Sequence, residues 1–261
     1  MQKRHRDPQR YFNEQALSTQ KYIIPFIQSA KEINKSLQVL EIGCGEAGNL
    51  KPFLELGCFC TGVDYSLSKI EKAKEYYSTL TFENRIKLIS DDIYKTNDFD
   101  SKFDIIIVRD VIEHIHDQDK FLGLMKKLMA PNAVAFFAFP PWQNPFGGHQ
   151  QMCKSKVLSH LPFYHLLPKS IYKLVLQSFG EDKNTISGLL EIKETGISIE
   201  RFERLVNKNG YIKVLKTLYF INPNYQVKFG LKPLKMNRII AAIPYFRDFF
   251  STAGYYLIKS N

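Results

Sequence analysis

The sequence predicts an α/β fold, a doubly wound and mostly parallel sheet with helices packed on both faces. Three observations point there. From residue 37 onward, short apolar runs alternate with amphipathic ones, the rhythm of right-handed βαβ crossovers. The run Phe103–Val108 is apolar except at Asp104, as a strand covered on both sides should be. The residues able to do chemistry cluster at the ends of these runs, where ligands of such sheets bind.

The elements follow in order. Residues 11–34 carry apolar side chains at helical spacing, with Pro25 placed to start a second helix. Leu37–Ile42 reads as the first strand and Gly43–Gly48 as a loop. Asn49–Leu56 reads as a helix closed by Gly57. Phe59–Val63 is a second strand stopping at Asp64, and Ser66 caps a helix running to Tyr77. Ile86–Ser90 and Phe103–Val108 are strands three and four. Asp117–Met129 is a helix stopped by Pro131, and Ala133–Phe139 is strand five, ended by Pro140-Pro141.

The rhythm then breaks. Residues 142–196 show a loop and one helix, Lys169–Phe179, with no clear strand. It resumes with a helix over Ile199–Asn209, capped by Ser198 and closed by Gly210, and with strands Tyr211–Ile221 and Ser251–Lys259. Between those strands, residues 222–250 are aromatic and basic, with a helix expected over Met236–Ile243. The expected organisation is one domain, 1–261, in which residues 1–36 form a helical lid. Residues 142–196 and 222–250 are insertions capping the active-site face.

Composition narrows the class. The 261 residues are 44% hydrophobic and 24% charged, a globular balance that excludes disordered and fibrous chains. Cys44, Cys58, Cys60 and Cys153 form no Cys-x-x-Cys pair, and no His/Cys cluster has zinc spacing. No metal is therefore expected, and the cysteines read as core residues of a reducing cytoplasm. MQKRHRDPQR leads into no apolar run, so no signal peptide is expected. No stretch approaches the ~20 apolar residues of a membrane span. Residues 1–140 hold 19 basic and 19 acidic residues, whereas 141–261 hold 17 and 7 and so carry the whole net charge of +10. A basic half suits an anionic small molecule, a nucleic acid or peripheral contact with an anionic membrane. A solvated basic surface explains it equally.

The glycine loop needs its glycines because the chain must turn sharply while its backbone approaches a ligand. Gly43, Gly45 and Gly48 supply that, for NAD as readily as for another nucleotide. Asp64, 19 residues beyond Gly45 and ending strand two, can accept both hydroxyls of a ribose, or can serve as a turn aspartate. Asp91-Asp92-Ile93 ends strand three. One of these carboxylates, Asp92 for preference, can accept from an adenine amino group while Ile93 packs on the ring.

With Phe103-Asp104-Ile105-Ile106-Ile107-Val108-Arg109-Asp110-Val111-Ile112-Glu113-His114-Ile115 added, the motifs LEIGCGEAGNL, GVDYS, SDDI and FDIIIVRDVIEHIHD stand in one order. In that order and spacing the chain resembles the class I S-adenosylmethionine-dependent methyltransferases. Within them it is most similar to the small-molecule group that includes ubiquinone-biosynthesis O-methyltransferases. The resemblance is strong over about 37–140, weaker over 198–221 and 251–259, and absent from the insertions. It implies a Rossmann-like sheet of seven strands, the last antiparallel, and S-adenosylmethionine as cofactor. It implies that Glu41, Gly43 and Gly45 face the methionine part, that Asp64 holds the ribose, and that Tyr65, Asp92 and Ile93 contact the adenine. Arg109 is implied to lie beside the cofactor through its backbone. Tyr11 and Phe12 are lid candidates, or simple helix packing. One departure is that Glu46-Ala47 stands where many relatives have an earlier glycine, so Gly48 can be the helix start and not a ligand contact.

Methyl transfer is an in-line displacement on a carbon already activated by a sulfonium, and a general base helps a hydroxyl nucleophile. His114, just past strand four, and His149, in the Pro/Gly loop after strand five, are the candidate bases. Trp142, Phe146 and His149 are expected to line the acceptor pocket. A small, acidic or amphipathic acceptor, free or linked to a carbohydrate or lipid, fits best. The Asn/Asp-Pro-Pro-Tyr/Phe signature of exocyclic-nitrogen methylation is replaced by Arg109-Asp110-Val111-Ile112, which disfavours nucleic acid. An RNA or protein methyltransferase, an NAD dehydrogenase and an inactive binding protein of the same fold remain as alternatives.

Overall fold

The computed structural model describes residues 7–96, 99 and 102–260; residues 1–6 of the expected lid lie outside them. The chain opens with α1 (Pro8–Ser18), which continues through a π-helical turn at Thr19–Ile23 into α2 (Ile24–Gln28). Pro25 stands in the first turn of this second helix, as expected, and the π-helical turn joins it to α1. Its ring and missing N–H are absorbed by one wide turn placed just before it.

The strands are β1 (Gln38–Ile42), β2 (Phe59–Asp64), β3 (Ile86–Ser90), β4 (Phe103–Arg109), β5 (Met129–Phe139), β6 (Tyr211–Ile221), β7 (Leu234–Lys235) and β8 (Ala253–Ser260). The helices after α2 are α3 (Lys51–Glu55), α4 (Leu67–Ser78), α5 (Gln118–Leu128), α6 (Lys156–His160), α7 (Lys169–Ser178), α8 (Lys183–Thr195), α9 (Ile199–Lys208), α10 (Asn224–Phe229) and α11 (Arg238–Ala241). The strand order is β3-β2-β1-β4-β5-β8-β6-β7. β1 through β5 pair in parallel, and β8 is antiparallel to both β5 and β6. The expected seven strands become eight because two residues of the 222–250 segment pair antiparallel along the outer edge of β6.

Alternation on the strands builds two cores. Val39, Ile105, Ile107, Phe136 and Leu257 face the N-terminal helices, α3 and α4, whereas Leu40, Ile106, Val108, Phe137 and Ile258 face α5 and α9. A third, smaller cluster of Cys153, Leu158, Tyr164, Tyr172, Leu176 and Leu189 holds α6, α7 and α8 together. Residues 142–196 are thus three helices around their own core, where one was expected. The order reverses between β1 and β4, so the crevice at the carboxyl ends of these strands is the switch point at which ligands bind. Among the described residues, no helix is long and apolar enough to cross a membrane.

Candidate functional site

The loop after β1 is held shut by backbone. Gly43 and Cys44 both donate N–H to the Val63 carbonyl, at 2.8 and 3.1 Å. Gly43 has φ +70, and a Cβ there would stand 2.5 Å from Val111. Gly45 has φ +56, while a Cβ there would meet only the Lys69 side chain at 3.8 Å. A side chain at Gly45 would therefore be blocked by backbone conformation and not by a close neighbour. Gly48 has the opposite surrounding: a Cβ would stand 2.5 Å from the Phe12 carbonyl oxygen. Gly48 lets α1 pack down on the loop and is not a ligand contact. The missing glycine of the motif is at 47. Ala47 is buried in the left-handed region at φ +60, held by the Tyr77 hydroxyl donating to its carbonyl.

Asp64 is 5% exposed at the end of β2. One carboxylate oxygen accepts from Gly45 N–H and the other from Ser66 N–H, both at 2.9 Å. Ser66 meets the aspartate through its backbone and makes no side-chain cap on α4. The carboxylate keeps lone pairs for further donors. Glu41 is fully buried. One oxygen accepts from Asn49 Nδ2 at 2.5 Å, and the other has no partner among the described residues. Burial pushes its carboxyl up to about 8 against the pull of Asn49 and Arg109. An acceptor left open beside this loop suits the ammonium of a methionine group. With the glycine backbone and the Asp64 carboxylate, these residues fit S-adenosylmethionine.

Asp91 and Asp92 are both half-buried. The Asp91 carboxylate accepts from Asp92 N–H, and the Asp92 carboxylate accepts from Tyr94 N–H, so both side chains cap the turn. Ile93 is buried, whereas Tyr65 is 84% exposed beyond the end of β2. The Arg109 side chain goes elsewhere than the cofactor. It is 9% exposed and donates to Asn49 at 2.6 Å, to Ser18 at 3.3 Å and to Asn224. Thr19 also donates to Asn49, and Ser18 to Asn224. One guanidinium thereby joins α1, the cofactor loop and the start of α10. Beside it a cavity of about 10 Å³ is lined by Tyr11, Glu14, Arg109, Asp110 and Asn224, room for one water. Burial raises the Tyr11 hydroxyl to about 12. Phe12 is buried against Tyr76 and Tyr77. Of the two lid candidates, Phe12 is core packing.

After β4 the chain makes a short turn, Ile112–His114. Gln118 Nε2 donates to the Ile112 carbonyl at 3.1 Å, and the Thr195 hydroxyl to the Glu113 carbonyl at 2.6 Å. The loop after β5 arrives opposite. A Cβ on Gly147 would stand 2.3 Å from the Trp142 carbonyl oxygen, and one on Gly148 2.3 Å from His165. The loop closes tightly and sets His149 in the left-handed region at φ +55. Its ring meets that of His114 edge-on, centroids 5.1 Å apart. Desolvation pulls His149 down to about 4, and the groups packed around His114 lower it too although its side chain reaches the surface. The two candidate bases are thus neighbours. Trp142 has another setting: its ring packs edge-on against His165, against Gly196 and under the Lys193 ammonium. Phe146 is 45% exposed.

Sequence reasoning quoted Glu113 but gave it no role. It is 3% exposed, both its oxygens lack a partner among the described residues, and it lies with His114 and His149 in one cluster. The three come from two loops, so no local spacing could have revealed them. The Glu-His pair at a strand's carboxyl end was the available signal.

Comparison with known proteins gives a consistent result. A family model described as a methyltransferase domain matches residues 13–169. The ubiquinone biosynthesis O-methyltransferase of Pelagibacter ubique (strain HTCC1062) is 31% identical over 112 residues, 43% of this chain and 45% of that protein. The enzyme of that name from Rhodopseudomonas palustris (strain HaA2) is 33% identical over 117 residues, 43% of this chain and 44% of its own. The match thus spans less than half the length of these relatives. Among solved structures, a putative sarcosine dimethylglycine methyltransferase from Galdieria sulphuraria aligns over 93% of this chain and 85% of its own, with TM-score 0.61 and 13% identity. Magnesium protoporphyrin IX methyltransferase from Synechocystis PCC 6803, solved with bound SAH, aligns over 93% and 82%, with TM-score 0.56 and 12% identity. At those identities the likeness is one of fold.

Proposed function

The chain belongs to the methyltransferase-domain family, and from that premise we propose that it moves a methyl group from S-adenosylmethionine to a hydroxyl oxygen of a small, amphipathic, anionic acceptor. The observation that carries the donor is the cradle of Gly43, Gly45 and Glu41 closed by Asp64 at the end of the neighbouring β2. When bound, S-adenosylmethionine supplies a methyl carbon already activated by its sulfonium. Gly43 and Gly45 admit the methionine part along their backbone, and the open Glu41 oxygen takes its ammonium. Asp64 accepts the ribose hydroxyls. Asp92 and Ile93 take the adenine edge and face, with the exposed Tyr65 ring free to lie over the adenine. Arg109 acts through its backbone beside the cofactor, while its side chain ties Tyr11 and the rest of α1 over the loop.

The acceptor's place is beside His114 and His149, with the 142–149 loop and Phe146 at its edge. The acceptor oxygen forms the C–O bond as the C–S bond breaks, the electron pair stays on sulfur, and the hydroxyl proton passes to an imidazole. His149, neutral and desolvated, offers the lone pair for it. The protein's main contribution is alignment and exclusion of water, and we assign residues 142–196 and 222–250 to a cap that provides the exclusion.

The acceptor class rests on the name carried by the curated relatives, on the net charge of +10, and on an open apolar groove along residues 161–168. Four buried, unpaired cysteines suit a cytoplasmic setting. Incubation with methyl-labelled S-adenosylmethionine and a panel of small hydroxylated acids carrying an apolar tail tests the reading. Label recovered in an ether of one of these acids supports it. Label entering only added RNA or protein contradicts the acceptor class.

A further inference from the structure

The cluster after β4 and β5 holds more than a base needs. Glu113, His114 and His149 each offer one ligand atom, and these atoms all lie within 4.8 Å of one another. The Glu113 carboxyl is buried with both oxygens unpartnered among the described residues. A buried carboxyl with no donor is costly, and such groups in folded proteins are paired or ligate a metal. No Lys or Arg bonds to it.

The loops that carry these residues are fixed from outside the cluster. Gln118 and Thr195 pin the 112–114 turn through its carbonyls. The Gly147-Gly148 step, packed on Trp142 and His165, sets His149 at φ +55. A non-glycine residue held in that region is strained, and such strain collects at functional sites. An ion about 2.1 Å from each of three donors holds them about 3.4 Å apart.

We propose that Glu113, His114 and His149 form a binding site for a divalent transition-metal cation of the zinc class, with open positions for the acceptor's oxygen. Two imidazoles and one carboxylate are a donor set for Zn²⁺, Fe²⁺ or Mn²⁺, not for an oxygen-seeking ion such as Ca²⁺. Three protein ligands leave coordination positions free, as in catalytic sites. This inference rests on the reading of that face as the acceptor site. The His149 lone pair then goes to the cation and not to a proton. The cation takes over activation by lowering the proton affinity of the acceptor hydroxyl it holds. The proton leaves to solvent, and the oxygen pair then forms the C–O bond as the C–S bond breaks.

Co²⁺ is the probe, because its visible bands report nitrogen ligands independently of turnover. The full chain, stripped with chelator and dialysed, is titrated with Co²⁺ and, in parallel, with S-adenosylhomocysteine. The expected result is one equivalent of Co²⁺ with intense d–d bands, displaced by Zn²⁺. Loss of that equivalent is expected in Glu113→Gln, His114→Ala and His149→Ala, with its retention in His160→Ala. His114 lies at the surface, so its variant keeps the test alive if the buried Glu113→Gln does not fold. Absence of a stoichiometric Co²⁺ site, or its persistence in His114→Ala and His149→Ala, overturns the proposal. Failure of the methyltransferase reading is separate, since it is read from the S-adenosylhomocysteine titration.

Discussion

Replacing Glu41 with Gln changes how stability depends on pH. In the folded chain the Glu41 carboxyl is buried and ionises near 8, against an ordinary value of 4.5. Between those values the folded state holds a proton that the unfolded state has lost. Glu41's contribution is therefore fully present below about pH 4.5 and lost as pH rises through about 8. At about 1.4 kcal/mol per pH unit, the ceiling is about 5 kcal/mol, lowered by any opening that lets water reach the carboxylate. Gln keeps the bond from Asn49 but puts an unpaired amide N–H where the open oxygen was, a pH-independent loss of about 1–3 kcal/mol. Glu41→Gln should therefore melt below wild type near pH 5 and draw level with it or pass it by about pH 8.5, a relative shift of up to about 10 °C. The assay is thermal unfolding of both chains across that range without cofactor, the difference removing all other titrations. Parallel profiles would refute a buried, proton-holding Glu41.

Two further substitutions test the frame of the site. Ala47→Gly should raise Tm by about 2 °C, since a left-handed Ala costs about 1–2 kcal/mol and the freer unfolded glycine returns roughly half of it; calorimetry that finds destabilisation contradicts the stated strain. Arg109→Met removes one of the two donors to Asn49 and to Asn224, and the donor to the Ser18 hydroxyl. It should cost about 1–3 kcal/mol and weaken S-adenosylhomocysteine binding with it, read by chemical denaturation and calorimetric titration.

The parallel half of the fold was legible because its central strands β1, β4 and β5 bury both faces and the helices one, so periodicity and apolar runs carried the information. The eighth strand was not legible: Leu234–Lys235 are exposed edge residues whose pairing depends on where β6 ends. The helices α6 and α8 escaped because they pack on a small private core and not on the sheet. In the site, Gly43, Gly45 and Asp64 could be read from the sequence because their constraint is local backbone geometry. The Arg109 network could not, since Ser18, Asn49 and Asn224 are 91, 60 and 115 residues away from it in sequence. Glu113 was hidden for the same reason, its neighbour His149 arriving from another loop.

The account stands most directly on the cofactor cradle, and calorimetric titration with S-adenosylhomocysteine and with NAD measures it. One equivalent of S-adenosylhomocysteine should bind wild type, and Asp64→Ala should weaken it about 100-fold or more through two lost charge-assisted hydrogen bonds of about 1.5–3 kcal/mol each. Binding of NAD alone, or undiminished S-adenosylhomocysteine binding in Asp64→Ala, would contradict it.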